Sequence, residues 1–302
     1  MFHHRLVEIT EAQVRAVLRM EQIIPALERA LIDLSMGKVT QPVRTVISIP
    51  EPEGWLGIMP AVYGEFMGAK LVTVYPANAK TNLPTHQAVI QLFSSLTGEP
   101  LASMDGRLIT EMRTAAVSAI ATNLLASAEA RILAILGSGV QARSHLNALS
   151  MVRTFTEVRV WSPTQANAQR LAAETGALYM PTAEAAVRDA DVIVTATNAA
   201  EPILRGEWLK PDAYVNAMGA VGPAKRELDT AAMQAQIVVE SRASALVESG
   251  DILLSGASIY AELGELLADP LRPKPAGRLV YKSLGIAIED LVCAQIVYEA
   301  FK

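Results

Sequence analysis

The segment Gly137-Ser-Gly139-Val-Gln-Ala142 limits the possible folds more than any other part of the chain. It follows the apolar run Ile132-Leu-Ala-Ile-Leu136 and opens a stretch with helical spacing that contains His145 and Leu149. A G-x-G-x-x-A pattern between a strand and a helix is the signature of a dinucleotide-binding turn. Gly137 makes the tight turn, Gly139 lets a pyrophosphate approach the backbone, and Ala142 keeps helix and strand close. Ser138, Val140 and Gln141 complete the cradle, and the free amides at the helix start face the phosphates.

The pattern around this turn extends the reading. After residue 131, strand-like runs (RILAIL, VRVW, ADVIVTAT, AYVNAM, QIVVE) alternate with helical ones, as a doubly wound parallel sheet requires. The fold class expected is therefore α/β, with a Rossmann-type parallel sheet in the segment that begins at 118. Before it, Thr10-Glu-Ala-Gln13 forms a capping-box pattern ahead of a helix. A second helix is expected from Glu21 to Met36, with Pro25 in its first turn. Between residues 43 and 105 the runs VRTVISI, WLGIMPAV, AKLVTVYP, QAVIQLF and PLASM predict an antiparallel sheet, with a turn at Thr97-Gly98. A helix over 108–126 bridges into the parallel domain. A chain of 302 residues exceeds what one core usually supports, so two domains are expected.

Composition removes several function classes. A net charge of -5 and the lack of any Lys/Arg run argue against nucleic acid and against an anionic membrane surface. No stretch is apolar for long enough to span a bilayer or serve as a signal peptide. The single cysteine, Cys293, excludes an intrachain disulfide and sits among Leu291, Val292 and Ile296 like a packed thiol. A cytoplasmic protein is expected.

The choice of dinucleotide depends on the end of the second strand, where an acid would hold the ribose hydroxyls of NAD. Glu157 lies at a tempting distance from Gly137 but precedes the strand. After it stand Ser162-Pro163-Thr164, with no acid and no adjacent Arg or Lys. Hydroxyls from Ser162 and Thr164 suit a 2′-phosphate, so NADP is favoured and NAD is the alternative.

Three cations, Arg44, Lys70 and Arg113, lie in apolar settings in the first segment. Each alone reads as an outward-facing residue on an amphipathic element. Together they suit a carboxylate, since arginine offers a planar fork of donors and lysine a point charge with a movable pKa.

The chain resembles the ornithine cyclodeaminase/mu-crystallin family over essentially its whole length. The resemblance is carried by RTV at Arg44, GAKLVTVYP at Lys70, PTHQAV at His86, MDGRLITEMRTAAVSAIAT around Arg113, GSGVQA, VNAMGA, ESGDILLSG and KSLGIAIED. It implies a homodimer whose substrate-binding and dimerisation domain is split between 1–117 and 283–302, with the last helix, Ile286 to Phe301, returning to it. It also implies substrate carboxylate contacts at Arg44, Lys70 and Arg113, phosphate contacts at Thr114 and the glycine loop, and nicotinamide-side contacts at Ser283, Leu284 and Gly285.

One departure bears on function. The family's cyclodeaminases and alanine dehydrogenases carry an Asp where this chain has Val221, and valine cannot engage an amine or move protons. The resemblance therefore points to the ketimine reductases: reduction of a small cyclic imino acid, pyrroline-2-carboxylate or piperideine-2-carboxylate, by NADPH. Lys70 is the first candidate proton donor and His86 the second. Asp251 could cap a helix around Leu254 and, like Glu289-Asp290, is left outside the catalytic set. A cyclodeaminase, a reductive aminase of the alanine dehydrogenase type and a non-catalytic NADPH-binding protein are the alternatives.

Overall fold

The computed structural model describes residues 6–269, 271–273 and 275–302. The chain forms two compact units, Met1–Arg113 with Gly285–Lys302, and Thr114–Leu284. The divisions fall a few residues from the 117/118 and 282/283 positions expected from sequence.

In the first unit, β1 (Val7–Ile9) precedes α1 (Glu11–Val17) and α2 (Met20–Ser35). The Thr10–Gln13 capping box forms as its sequence requires. Strands β2 (Thr45–Ile49), β3 (Gly54–Tyr63), β4 (Phe66–Val74), β5 (His86–Ser94) and β6 (Pro100–Asp105) follow. The sheet order is β1-β6-β5-β4-β3-β2, antiparallel except for a parallel β1–β6 pair. That pair was not anticipated, because three residues carry too little alternation to be read. Gly98, at a φ of 77°, closes the β5–β6 connection at the expected turn.

Two expectations fail locally. Pro25 is the sixth residue of α2, past the first turn, so the helix simply lacks the hydrogen bond a proline nitrogen cannot donate. Arg44 stands immediately before β2 rather than within it.

Alternate residues of β3, β4 and β5 share a face. Met59 of β3 and Ile90 of β5 flank Lys70 of β4 on the side covered by α10 (Ala287–Glu299). Leu291 of α10 lies over Gly68, where a Cβ would stand 3.2 Å from it and only 2.5 Å from the Gln91 carbonyl oxygen. The opposite face presents Ile47, Val62, Leu71 and Val89, all exposed.

The helix α3 (Arg107–Leu125) carries the chain from Arg113, the last residue of the first unit's opening segment, to Thr114, the first of the second. The second unit contains β7 (Ile132–Leu136), α4 (Val140–Ser150), β8 (Glu157–Trp161), α5 (Gln165–Thr175), β9 (Leu178–Tyr179), α6 (Ala183–Val187), β10 (Val192–Thr195) and β11 (Tyr214–Ala217). It continues with β12 (Gln236–Val239), α7 (Arg242–Glu248), α8 (Gly250–Ser255), β13 (Ile259–Glu262), α9 (Leu263–Ala268) and β14 (Leu279–Lys282). All eight strands are parallel, ordered β13-β12-β14-β11-β10-β7-β8-β9. The central strands β7, β10 and β11 are almost wholly buried, which explains their continuous apolar composition. The fold is a doubly wound α/β sheet joined to a second, mixed-sheet unit. Cys293 is buried in α10, and burial raises its thiol pKa, in keeping with a packed residue.

Candidate functional site

In the second unit, the order of the strands fixes where a nucleotide can bind. From β7 the chain steps outward through β8 to β9, then returns to β10 on the other side of β7, so the switch point lies between β7 and β10. Ligands of such sheets bind there, beyond the carboxyl ends of the strands. The glycine turn occupies that position. Gly137 has a φ of 134°, and a Cβ on it would come within 2.4 Å of the Ala196 carbonyl oxygen. Gly139 is the N-cap of α4 and has no side-chain cap. A Cβ there would project into open space, and that space, edged by the amides at the start of α4, fits a pyrophosphate. Ala142 is fully buried, and Val140 is exposed.

Beside the turn, the Ser138 hydroxyl donates to the Ser162 hydroxyl at 2.9 Å. Thr164 is the N-cap residue of α5, with no side-chain cap bond. Glu157 opens β8 at the strand's far end, paired with Arg159, so it is not placed to meet a ribose. Sequence proximity alone missed Arg143. Its guanidinium donates to the Ser138 carbonyl at 2.9 Å and pairs with Glu174 at 2.6 Å, which brings a cation to the glycine turn. On the other side of the switch point, Glu240 accepts from the Ser283 hydroxyl at 2.6 Å and from the Leu284 amide at 2.8 Å. Thr114 is buried in α3. Asp251 does not cap α8; Ser249 does. Instead, Asp251 is buried and paired with Lys282 at 2.9 Å. Val221 packs against the apolar core of this unit.

In the first unit, the structure brings the three cations into one cluster with two acids. Lys70 is 2% exposed, and its Nζ lies 2.6 Å from Asp290 and donates to the Thr110 hydroxyl at 3.3 Å. Arg113, 4% exposed, donates through Nη1 to Glu289 at 2.7 Å and through Nε to the other oxygen of Asp290 at 3.1 Å. Arg44 donates to the Gly285 carbonyl at 2.7 Å. Gly285 has a φ of 69°, and a Cβ on it would fall 2.1 Å from Arg113, so only glycine admits the guanidinium. Gly285 thus packs against both Arg113 and Arg44. Glu289 and Asp290 carry much of the geometry although sequence reasoning set them aside. The signal that could have raised them is an adjacent acid pair inside the apolar run IAIEDLVCAQ, since buried acids require partners.

The electrostatics follow from burial. Desolvation lowers the Lys70 pKa to about 8; Arg113 and Arg44 act in the same direction, and Asp290 opposes them. Burial pushes the Asp290 carboxyl up, but the Arg113 and Lys70 charges outweigh it and hold the pKa below its usual value. His86, the first residue of β5, is lowered to about 4 by burial and by the charges of Lys70 and Arg113, so its ring is neutral at pH 7. The cluster can therefore hold an anion and, through Lys70, exchange a proton near neutral pH.

The family model for the ornithine cyclodeaminase/mu-crystallin family matches residues 6–302. The chain belongs to this family. Within it, the chain is 47% identical over 287 residues to the ketimine reductase mu-crystallin of Mus musculus, covering 92% of each. It is also similar to the structure of Thermococcus litoralis Delta(1)-pyrroline-2-carboxylate reductase in complex with NADH and L-proline, with a TM-score of 0.92, 34% identity and 97% of each chain covered. An archaeal alanine dehydrogenase dimer with bound NAD superposes with a TM-score of 0.91 at 30% identity, covering 97% of this chain and 95% of that one.

Proposed function

We propose that this family member is an NAD(P)H-dependent reductase of small cyclic ketimine carboxylates, converting pyrroline-2-carboxylate or piperideine-2-carboxylate to the cyclic amino acid. The observation that carries the reading is the buried Lys70, at a pKa of about 8, and the buried Arg113, both held by Asp290, with the half-buried Arg44 close enough for its charge to act on Lys70. Its relatives support the same chemistry: one is a ketimine reductase, and another is a pyrroline-2-carboxylate reductase with NADH and proline.

The arginines take the substrate carboxylate. Glu289 and Asp290 fix the plane of the Arg113 guanidinium before substrate arrives, so little ordering remains to be done on binding. The reduced nicotinamide, when bound, supplies the hydride. Lys70 gives its proton to the imine nitrogen, because an iminium accepts hydride better than an imine, and a donor with a pKa near the working pH transfers it well. His86, neutral above about pH 4, is the poorer candidate. Orientation of the ring by its carboxylate is the larger contribution and can lower a barrier by up to about 7 to 11 kcal/mol in well-placed systems. Val221, where the cyclodeaminases carry an acid, argues against a lyase.

For the coenzyme, the reading is NADPH with NADH also accepted. Ser162 and Thr164 offer hydroxyls to a 2′-phosphate, Arg143 lies beside Ser138, and no acid follows β8 to repel it. The assembly is a homodimer formed through the exposed face of β2, β3, β4 and β5, whose Ile47, Leu71 and Val89 are uncovered within the chain. A cytoplasmic location belongs to the same reading. Among the described residues no helix is long and apolar enough to cross a membrane.

The test is coenzyme oxidation by the purified protein with pyrroline-2-carboxylate, beside pyruvate plus ammonia and beside ornithine with ammonia detection. Rapid oxidation with the cyclic imine alone is expected. Oxidation only with pyruvate plus ammonia would make it a reductive aminase, and ammonia release from ornithine would make it a cyclodeaminase. Coenzyme binding without any turnover would leave a binding protein.

A further inference from the structure

The adenosine half of a dinucleotide lies over the β8 side of the switch point, so its nicotinamide half extends over the ends of β10, β11 and β14. Beneath those ends is a layer of buried charge that the reaction above does not use. Glu227, fully buried, accepts hydrogen bonds from the Thr195 hydroxyl at 2.8 Å, the Thr197 amide at 2.7 Å, the Thr197 hydroxyl at 2.6 Å, the Gly219 amide at 2.8 Å and the Ala220 amide at 3.2 Å. Thr195 ends β10, and Gly219 and Ala220 follow β11, so one carboxylate ties two adjacent loops together.

Glu227 is itself held. Its own amide and that of Leu228 both donate to Asp251 at 2.9 Å. Asp251 pairs with Lys282, the last residue of β14, and Lys282 donates to the Ala220 carbonyl at 2.9 Å. The circuit thus links the ends of β10, β11 and β14. It leaves no space: a Cβ on Gly219 would lie 2.1 Å from the Thr197 carbonyl oxygen and 2.5 Å from Glu227. Buried charge in a satisfied network is costly to assemble and rigid once made, which suits a site that must hold a ring within a fraction of an ångström.

We propose that Glu227, braced by Asp251 and Lys282, is a positioning residue for the nicotinamide half of the coenzyme, fixing the β10 and β11 loops against which that ring rests. With five donors on its two oxygens it touches neither substrate nor coenzyme and acts through Thr197, Gly219 and Ala220. This rests on the coenzyme-binding part of the reading above. It does not depend on which imine is reduced.

The test compares two ligands by calorimetric titration: NADH, and ADP-ribose, which lacks the nicotinamide. In Glu227→Gln an amide group of the same size faces the donors that a carboxylate oxygen met. The expected result is NADH binding weakened by about tenfold or more, the scale of a lost charged hydrogen bond, with ADP-ribose binding changed less than about twofold. Thr195→Val, which removes one buried donor and keeps the shape, gives the same selective loss at smaller size and serves if the glutamine variant does not fold. Parallel weakening of both ligands would show a general structural role and overturn the proposal. Unchanged NADH binding in both variants would overturn it too. A wild-type protein that binds neither of these ligands nor NADPH would instead sink the coenzyme reading itself.

Discussion

At the residue scale the central feature is Lys70. Its ordinary pKa is 10.5, and in the folded chain it is about 8, so its protonated fraction falls as pH rises through about 8. If protonated Lys70 delivers the imine proton, kcat/KM holds below that pH and declines tenfold per unit above it. Lys70→Arg keeps the charge at every accessible pH but does not give up its proton. A pH series should therefore show the alkaline limb disappear and the plateau fall by about a hundredfold, on the scale of a lost general acid. An unchanged limb in that variant would assign it to another group. Lys70 and Arg113 were visible in the sequence because charge inside apolar runs is conspicuous. Glu289 and Asp290 stood out by the same signal, but which cations they hold depends, like the packing of Gly285 against Arg113, on contacts across 172 to 241 positions of chain, which no local pattern encodes.

Elements show the same division between local and distant causes. The glycine turn, the Thr10 cap and the Gly98 turn were readable because each needs only a few consecutive residues. Gly137→Ala should abolish NADH and ADP-ribose binding together, because its Cβ would meet the Ala196 carbonyl oxygen and its φ is unfavourable to alanine. Helix α4 carries a second consequence. His145 is buried, with Nδ1 2.8 Å from the Gln141 carbonyl and Nε2 2.8 Å from the Ser118 hydroxyl, and burial lowers its pKa from 6.5 to about 4. Between those values the unfolded chain binds the proton and the folded chain does not, so stability falls as pH drops from about 6.5 towards about 4. From pH 7 to pH 5 this group alone contributes a loss of about 2 kcal/mol. Urea unfolding of His145→Asn at both pH values should show that difference shrink by about this amount; an undiminished difference would mean that His145 is not its source.

For the whole molecule, the alternation of strand and helix after residue 131 was enough to give the parallel sheet, although the two-residue β9 and the later β13 and β14 were too short or too isolated to read. The split of the first unit between two distant segments came from family resemblance, because nothing in the periodicity of the last helix says which sheet it covers. The apolar outer face of that sheet carries a prediction for the assembly. Leu71→Asp places a charge at the middle of the exposed patch beside Ile58 and Val89, and sedimentation should show the homodimer dissociating to monomer. A dimer that persists would move the interface elsewhere. Hydride transfer to a carboxylate-anchored cyclic imine is the central step of the proposed reaction. Its most direct test is turnover of pyrroline-2-carboxylate with NADPH deuterated at the transferring position, followed by mass and NMR analysis of the proline. One deuterium per proline is expected, on the ring carbon that bears the carboxylate; proline without the label, or ammonia release in place of reduction, would contradict direct hydride transfer to the imine.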